Sequence, residues 1–326
     1  MSPNLQQIDK LIIDVLMDNQ SDSYSSKPDF VTPEFNNVIH AGACEISGAT
    51  LCCAQLGLSV MLTAYQGDKR HKLLFDAGPQ GSIWMRNCKS LGIKLDDVEE
   101  VAISHGHWDH MGALLDALGG ITSGGKRTVP VHVNPGMFLE RGARLTDGSV
   151  VPFEIVPSPE VLAKHGAQVH NAKDERTLLD GFFYLSGEIP RLTDFEKGRQ
   201  DHVCREDIKQ DWYPDPLLMD ERYLAVQIRN KGLIVFSSCS HAGIINVLMD
   251  LRAKFPKVPI HGVFGGFHLV GTLEKIIPQT VEHMKEFAPA HIMPGHCTGW
   301  RALCAMVNEF GEEVVIPSSV GSKFTF

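Results

Sequence analysis

The sequence predicts a mixed α/β protein made of two similar sheet-plus-helix halves, and three observations predict it. Short runs rich in Ile, Leu and Val alternate with segments of helical spacing. Pairs of candidate strands are joined by tight Gly- and Asn-containing turns. Polar residues able to do chemistry gather where candidate strands end, which is where a rigid scaffold usually carries function.

In chain order, Ile8 to Met17 is apolar and β-rich and predicts a buried strand, followed by a polar Ser- and Pro-containing loop from Asn19 to Pro33. Gly57 to Ala64 and Lys72 to Phe75 predict two strands joined at Gln66-Gly67-Asp68, the second ending at Asp76-Ala77-Gly78. Ser82 to Leu91 predicts a helix closed by Gly92. Val98 to Ile103 is a strand that leads into Ser104. Met111 to Leu118 then has helical spacing, with Gly119-Gly120 as the expected stop. Val129 to Asn134 is a further strand. From Pro152 to Asp220 the texture becomes polar, which predicts a loop-rich insertion capping the site within a single domain spanning residues 1–326. The second half repeats the pattern: strands Tyr223 to Ile228 and Gly232 to Ser237, helix Gly243 to Phe255, strand His261 to Phe264, helix Leu273 to Phe287 and strand His291 to Met293.

Composition bounds the function. A chain of 326 residues with 43% hydrophobic and 21% charged residues is an ordinary globular composition with a substantial core. No apolar run approaches the roughly 18 residues that span a bilayer, and Leu11 to Met17 is broken by Asp14 without a basic flank, so neither a membrane segment nor a signal peptide is expected. The net charge of −9, with no basic tract, counts against nucleic acid as a partner and against a nuclease. The eight cysteines form no Cys-x-x-Cys pair and read as reduced thiols of a cytoplasmic protein. Cys239 and Cys297 flank candidate ligand histidines, but burial in the core is the favoured reading for both.

The densest chemistry lies at Ser-His-Gly-His-Trp-Asp-His-Met, residues 104–111, which brings His105, His107, Asp109 and His110 together. Imidazole suits zinc, iron or manganese, and the carboxylate adds a harder oxygen donor. In extended chain His105 and His107 point to one side, whereas the adjacent Asp109 and His110 diverge and can serve a second ion. Most other histidines (His40, His71, His132, His165, His170, His261, His283 and His291) carry no motif and read as surface or satisfied core groups. His202 stands apart, because the expected cap also carries Arg199 and Arg205. Arg191 is a candidate clamp for a phosphate or carboxylate, with an internal ion pair to Glu188 or Glu196 as the competing reading. Trp108 is a candidate pocket wall.

Three further segments end a strand with histidine: Ser238-Cys239-Ser240-His241, Gly265-Gly266-Phe267-His268 and Pro294-Gly295-His296-Cys297-Thr298-Gly299. Together with His-x-His-x-Asp-His and Phe75-Asp76-Ala77-Gly78, this order resembles the metallo-β-lactamase superfamily over nearly the whole chain. Within it, Cys-Ser-His-Ala-Gly-Ile (239–244), Gly-Gly-Phe-His-Leu (265–269), His-Cys-Thr-Gly (296–299) and Gly-Glu-Ile-Pro-Arg (187–191) followed by Phe195-Glu196 resemble the dihydropteroate-synthase-like, or dihydropterin–ribofuranosylaminobenzene phosphate synthase-like, subgroup.

The resemblance implies an αββα sandwich of two mixed sheets with flanking helices and metals at one edge. It implies His105 and His107 on a first metal with His241 as the further ligand, and Asp109, His110 and His296 on a second. Asp76 then orients a ligand histidine, and His268 is a ligand, a ligand's neighbour or a contact to substrate. Oxygen-reducing diiron relatives carry Glu where this chain has His107, which turns the expectation away from redox chemistry. The expected cofactors are two divalent ions, zinc first, with manganese or iron as alternatives. The expected activity is hydrolysis of an ester or phosphoester of a small, anionic molecule by a metal-bridging hydroxide, with Asp109 and His268 as catalytic groups. No Gly-x-Ser-x-Gly or paired Cys/His nucleophile points to a covalent intermediate. A transferase joining a dihydropterin diphosphate to an aminobenzene ribosyl phosphate is one alternative, and a non-catalytic metal-containing ligand-binding protein is another. A homo-oligomer is compatible with the sequence.

Overall fold

In the computed structural model, which describes residues 3–326, strands gather into two large mixed sheets and one small antiparallel sheet. Edge to edge, the first large sheet contains Ala167–Asn171, Val129–Val133, Glu100–Ala102, Lys69–Phe75, Ser59–Gln66, Lys10–Met17, Lys323–Thr325 and Val31–Thr32. The second contains Arg176–Leu178, Phe183–Leu185, Leu224–Ile228, Gly232–Ser237, Ile260–Gly265 and His291–Pro294, with Gln7–Ile8 alongside Leu224–Ile228.

The two-residue period of a strand explains the layers. In Ser59–Gln66, Val60, Leu62 and Ala64 enter a core shared with the second sheet, while Met61 points to the helices on the other face. In Gly232–Ser237, Ile234 and Phe236 enter the same inter-sheet core, and Leu233 and Val235 turn outward. Helices Gly81–Ser90 and Leu114–Ile121 cover the outer face of the first sheet. Ile244–Lys254, Ile277–Met284 and Trp300–Phe310 cover the second. The order is helix, sheet, sheet, helix, as the resemblance implies. No helix among the described residues is long and apolar enough to cross a membrane.

Several local expectations are corrected. The helix after the histidine cluster does not stop at Gly119-Gly120: a turn at Trp108–Met111 is followed by Leu114–Ile121. Burial of Leu114, Ala117, Leu118 and Ile121 outweighs the glycine propensity cost, and a side chain at Gly120 would meet Leu95 at 2.6 Å. The stretch from Pro152 to Asp220 is loop-rich, as expected, but it also supplies strands to all three sheets. Ala167–Asn171 joins the first sheet, and Arg176–Leu178 with Phe183–Leu185 joins the second. Ala167–Asn171 and Arg176–Leu178 are edge strands, which carry polar residues on their solvent side and so read as loop, whereas Phe183–Leu185 lies inside its sheet and is buried. The small sheet pairs Glu140–Arg144 with Val150–Pro152 and with His202–Arg205, whose other neighbour is Tyr213–Pro214. Elements without a sequence expectation include helix Glu34–His40, helix Trp300–Phe310 and the C-terminal strand Lys323–Thr325.

The topology positions the site. Lys69–Phe75, Glu100–Ala102 and Val129–Val133 run parallel in the first sheet. Gly232–Ser237, Ile260–Gly265 and His291–Pro294 run parallel in the second. The histidine-bearing segments follow the carboxyl ends of these strands, where open α/β sheets offer a crevice. The shared core predicts a cost: Phe236→Ala, at a fully packed position between the sheets, should lose about 3–5 kcal/mol in urea unfolding. A loss below about 1 kcal/mol would mean that the inter-sheet contact is not close-packed.

Candidate metal centre

Four residues at the strand ends adopt left-handed backbone that L side chains seldom enter: Asp76 (φ 56°), Ser240 (φ 55°), His268 (φ 47°) and His296 (φ 45°). Strain of this kind concentrates at functional sites. Here it turns each chain sharply off its strand and toward a common point.

The first group is organised by Asp76, whose buried carboxylate accepts three hydrogen bonds. Ser104 donates its backbone N–H to Oδ1 at 2.7 Å and its hydroxyl to Oδ2 at 2.6 Å. His110 Nδ1 lies 2.7 Å from Oδ2. Because Ser104 spends its proton on Asp76, its oxygen is left to accept from His105 Nδ1, 2.9 Å away. This order leaves Nε2 of both His105 and His110 as lone-pair donors. His105 Nε2 stands 3.1 Å from His107 Nδ1.

Between the two histidines, Gly106 is clamped on both sides. Its N–H donates to Asp220 Oδ2 at 2.9 Å, and its carbonyl accepts from Arg141 Nη1 at 3.3 Å. A side chain at Gly106 would lie 2.1 Å from the Met137 carbonyl oxygen, so only glycine fits here.

The second group comes from the other sheet. The backbone N–H groups of His241 and Ala242 donate to the two carboxylate oxygens of Glu221, at 2.8 and 2.6 Å. His296 is held by the end of the first strand. Its N–H donates to Asp18 Oδ1 at 3.0 Å, its carbonyl accepts from Asn19 Nδ2 at 3.0 Å, and its Nδ1 sits 2.9 Å from Asn19 Oδ1. Since Asn19 Oδ1 is an acceptor, His296 Nε2 is free to face Asp109 Oδ2, 3.4 Å away. His268 stands between Arg199 Nη1 (3.4 Å from Nε2) and Cys239 Sγ (3.1 Å from Nδ1).

The structure therefore brings together every metal ligand expected from the sequence. His105 and His241 have ring centroids 4.8 Å apart, His107 and His241 also 4.8 Å, and His110 and His296 5.0 Å. A cavity of about 440 Å³ opens over the group and is lined by His107, Trp108, Asp109, His202, His241, His268 and His296, with Phe153 and Arg199 on its wall. Thus Trp108 and His202 are where the sequence puts them. Arg191 is not: its guanidinium is turned to the carbonyls of Ile189, Leu217 and Leu218, and it lines no part of this cavity. Nor is it paired with Glu188 or Glu196. Burial draws it inward, and backbone oxygens accept from both terminal nitrogens, while Nε has no hydrogen-bond partner.

The sequence reading missed Asn19, Asp18, Asp220, Glu221 and Arg141. Two of them carried a faint signal, since Asp18-Asn19 follows a strand just as Asp76 does. Cys239 was assigned to the core, yet the structure puts it among the ligand atoms. Those of His105, Cys239 and His241 lie within 4.8 Å of one another, as do those of His110, Cys239 and His296 and those of Cys239, His268 and Cys297.

Burial first, and neighbouring cationic and imidazole groups second, hold His105, His107 and His241 well below the ordinary imidazole range. Burial, then Arg199 and His268, push His202 down to about 3. Imidazoles kept neutral in this way are competent metal ligands. Nε2 of His107, Nε2 of His110 and both ring nitrogens of His241 are buried without a hydrogen-bond partner. Unpaired buried nitrogens are costly, and several converging on one point fit a divalent cation.

Residues 57–184 match the family model of the metallo-β-lactamase superfamily. It is 26% identical over 260 residues to the 7,8-dihydropterin-6-methyl-4-(beta-D-ribofuranosyl)-aminobenzene-5'-phosphate synthase of Methanocaldococcus jannaschii, covering 80% of this chain and 86% of the relative. It is 29% identical over 250 residues to an uncharacterized protein of the same organism, covering 77% of this chain and 86% of that one. The crystal structure of Tm1679, described as a metal-dependent hydrolase of the β-lactamase superfamily, superposes with a TM-score of 0.69 at 23% identity, over 96% of this chain and 98% of Tm1679. That likeness is one of fold.

The network predicts that Asp76→Ala leaves two buried N–H groups and one hydroxyl without their acceptor. At about 1–3 kcal/mol for each such group, chemical denaturation should reveal a loss of at least about 3 kcal/mol.

Proposed function

We propose that this protein is a metal-dependent hydrolase acting on an ester or phosphoester of a small anionic molecule. The observation that carries the reading is the convergence of buried imidazoles and one carboxylate, from both sheets, at a single cavity. His105, His107 and His241 would hold one divalent ion, and Asp109, His110 and His296 a second, with zinc as the first choice. When bound, such ions supply Lewis acidity and acidify water to near neutral pH.

The remaining roles fall to the chain itself. Asp76 fixes the direction and tautomer of His110 directly, and of His105 through Ser104. Asn19 does the same for His296. Arg199, a cation on the cavity wall, suits an anionic oxygen of the substrate, and its second nitrogen is steadied by Asp201. His268 Nε2 reaches the cavity beside Arg199, whose guanidinium can only donate to it, and this ring is our assignment for a catalytic contact to the substrate. Trp108, Phe153 and His202 wall the cavity and limit access of bulk water.

One observation favours a second reading. The synthase relative spans 80% of this chain, which supports a transferase using the same floor and wall to join a dihydropterin diphosphate to an aminobenzene ribosyl phosphate.

Metal-loaded protein should be assayed on a panel of ester, lactone, thioester and phosphoester substrates, in parallel with the paired pterin and ribosyl phosphate substrates. Turnover of the panel supports the hydrolase, and product only from the pair supports the transferase. Tight ligand binding with no turnover of either would overturn catalysis. His107→Ala and Asp109→Ala should each lower kcat/KM about a hundredfold or more, the scale on which losing one electrostatic stabiliser acts. Retained activity in either variant would sink the proposal.

A further inference from the structure

We propose that the thiolate of Cys239 is a metal ligand shared by the two halves of this centre, so that the centre selects a borderline-soft cation such as zinc or cobalt over manganese or magnesium. The inference rests on the metal-centre reading above and adds to it a sulfur donor.

Position is the first argument. Cys239 alone belongs to all three groups of converging ligand atoms: the His105–His241 side, the His110–His296 side and the pair formed by His268 and Cys297. Its sulfur lies 3.8 Å from His296 Nε2 and 3.1 Å from His268 Nδ1.

The surroundings argue next. A buried cysteine is ordinarily a small hydrophobe, and Cys88 is one, packed in the apolar cluster beneath the first sheet. Neither Cys239 nor Cys297 belongs to any of the three apolar clusters. Both instead line the cavity over the histidines. Cys239 is buried, but the polar contacts of its Sγ are His268 Nδ1, His296 Nε2 and Cys297 Sγ.

Construction is the third argument. The chain leaves strand Gly232–Ser237 and turns at Ser240, whose hydroxyl donates to the Gly266 carbonyl at 2.7 Å. That anchor fixes the turn carrying Cys239. On the facing strand end, a side chain at Gly266 would lie 2.7 Å from Cys297 Sγ and 3.1 Å from the His296 ring, so bare backbone leaves room for the sulfurs. Cys297 Sγ sits 3.1 Å from Cys239 Sγ and donates to the Cys239 carbonyl at 3.5 Å, the place of a positioning neighbour.

The chemistry balances simply. A sulfur–metal bond forms, the Cys239 S–H bond breaks, and one proton leaves to solvent through the cavity. A thiolate among imidazoles favours zinc-like ions, whereas carboxylate, carbonyl and water favour manganese and magnesium.

Cobalt(II) reports thiolate ligation directly, without any assay of activity. Reduced full-length protein, stripped of metal and titrated with cobalt(II), should develop a sulfur-to-cobalt charge-transfer band in the near ultraviolet. Cys239→Ser should lose that band, while Cys297→Ser should keep it. Stoichiometric cobalt bound to the native protein without the band overturns this inference alone, and that reading needs no variant to fold. A band that survives in Cys239→Ser, or vanishes only in Cys297→Ser, also overturns it. Failure of the native protein to bind stoichiometric cobalt overturns the metal-centre reading, and this inference with it.

Discussion

The buried carboxylate of Asp76 is the constraint on which the site depends. It is the first polar residue after strand Lys69–Phe75, in left-handed backbone. Its own carbonyl accepts from the Ser59 hydroxyl at 2.7 Å, and that hydroxyl accepts from the indole of Trp84 at 2.9 Å. The position of the carboxylate is thus set by a helix packed on the outer face of the sheet. From there it fixes Ser104 and His110 directly and His105 at one remove. An acceptor placed before the donors arrive selects one tautomer in each ring, and the free nitrogens then point to one volume.

That volume is electrostatically unusual. Several imidazoles lie within ring-contact distance of one another, and Arg141 and Arg199 stand close behind. Burial and the neighbouring charges hold His105, His107 and His241 below the ordinary imidazole range, so the lone pairs of these three rings stay available. Asp109 is the only carboxylate that meets these rings on the cavity floor, 3.4 Å from His296 and 3.8 Å from His110. The others nearby, Asp18, Asp76, Asp220 and Glu221, are occupied with backbone N–H groups or ring Nδ1 atoms. The division of labour is clear: one carboxylate faces the ligand volume, and four build its walls.

What the sequence made legible follows from the range of each signal. His105, His107, Asp109 and His110 are adjacent in the chain, so their clustering needs no fold to be seen. His241, His268 and His296 each end a strand-like run, a pattern with period and punctuation. The inner strands were legible for the same reason, as Val60, Leu62, Ile234 and Phe236 alternate across one core. Asn19 and Glu221 were not legible, because their partners lie 277 and 20 residues away and nothing in their neighbourhoods differs from an ordinary loop. Arg191 misled for a related reason. A guanidinium beside Gly-Glu-Ile-Pro looks like an anion clamp until backbone carbonyls of Leu217 and Leu218 prove to accept from it. Cys239 is buried, as expected of a free cysteine, but composition carries no hint of what a buried sulfur touches.

These long-range contacts share a geometry that decides how the site is held. Asp18 and Asn19, which end a strand of the first sheet, grip His296 of the second. In return, Asp220 and Arg222, which lead into a strand of the second sheet, grip the loop of the first through Gly106 N–H and the Ser104 carbonyl. Each sheet therefore helps to position the other sheet's candidate ligands, alongside the contacts each makes to its own. A cation bound across the seam would add a further tie between the sheets, so its binding energy would count toward docking one sheet on the other. The inter-sheet core and the site are then two views of one interface. Packing at Phe236 and Phe264 sets the separation of the sheets, and that separation sets whether His105, His241 and Cys239 can meet.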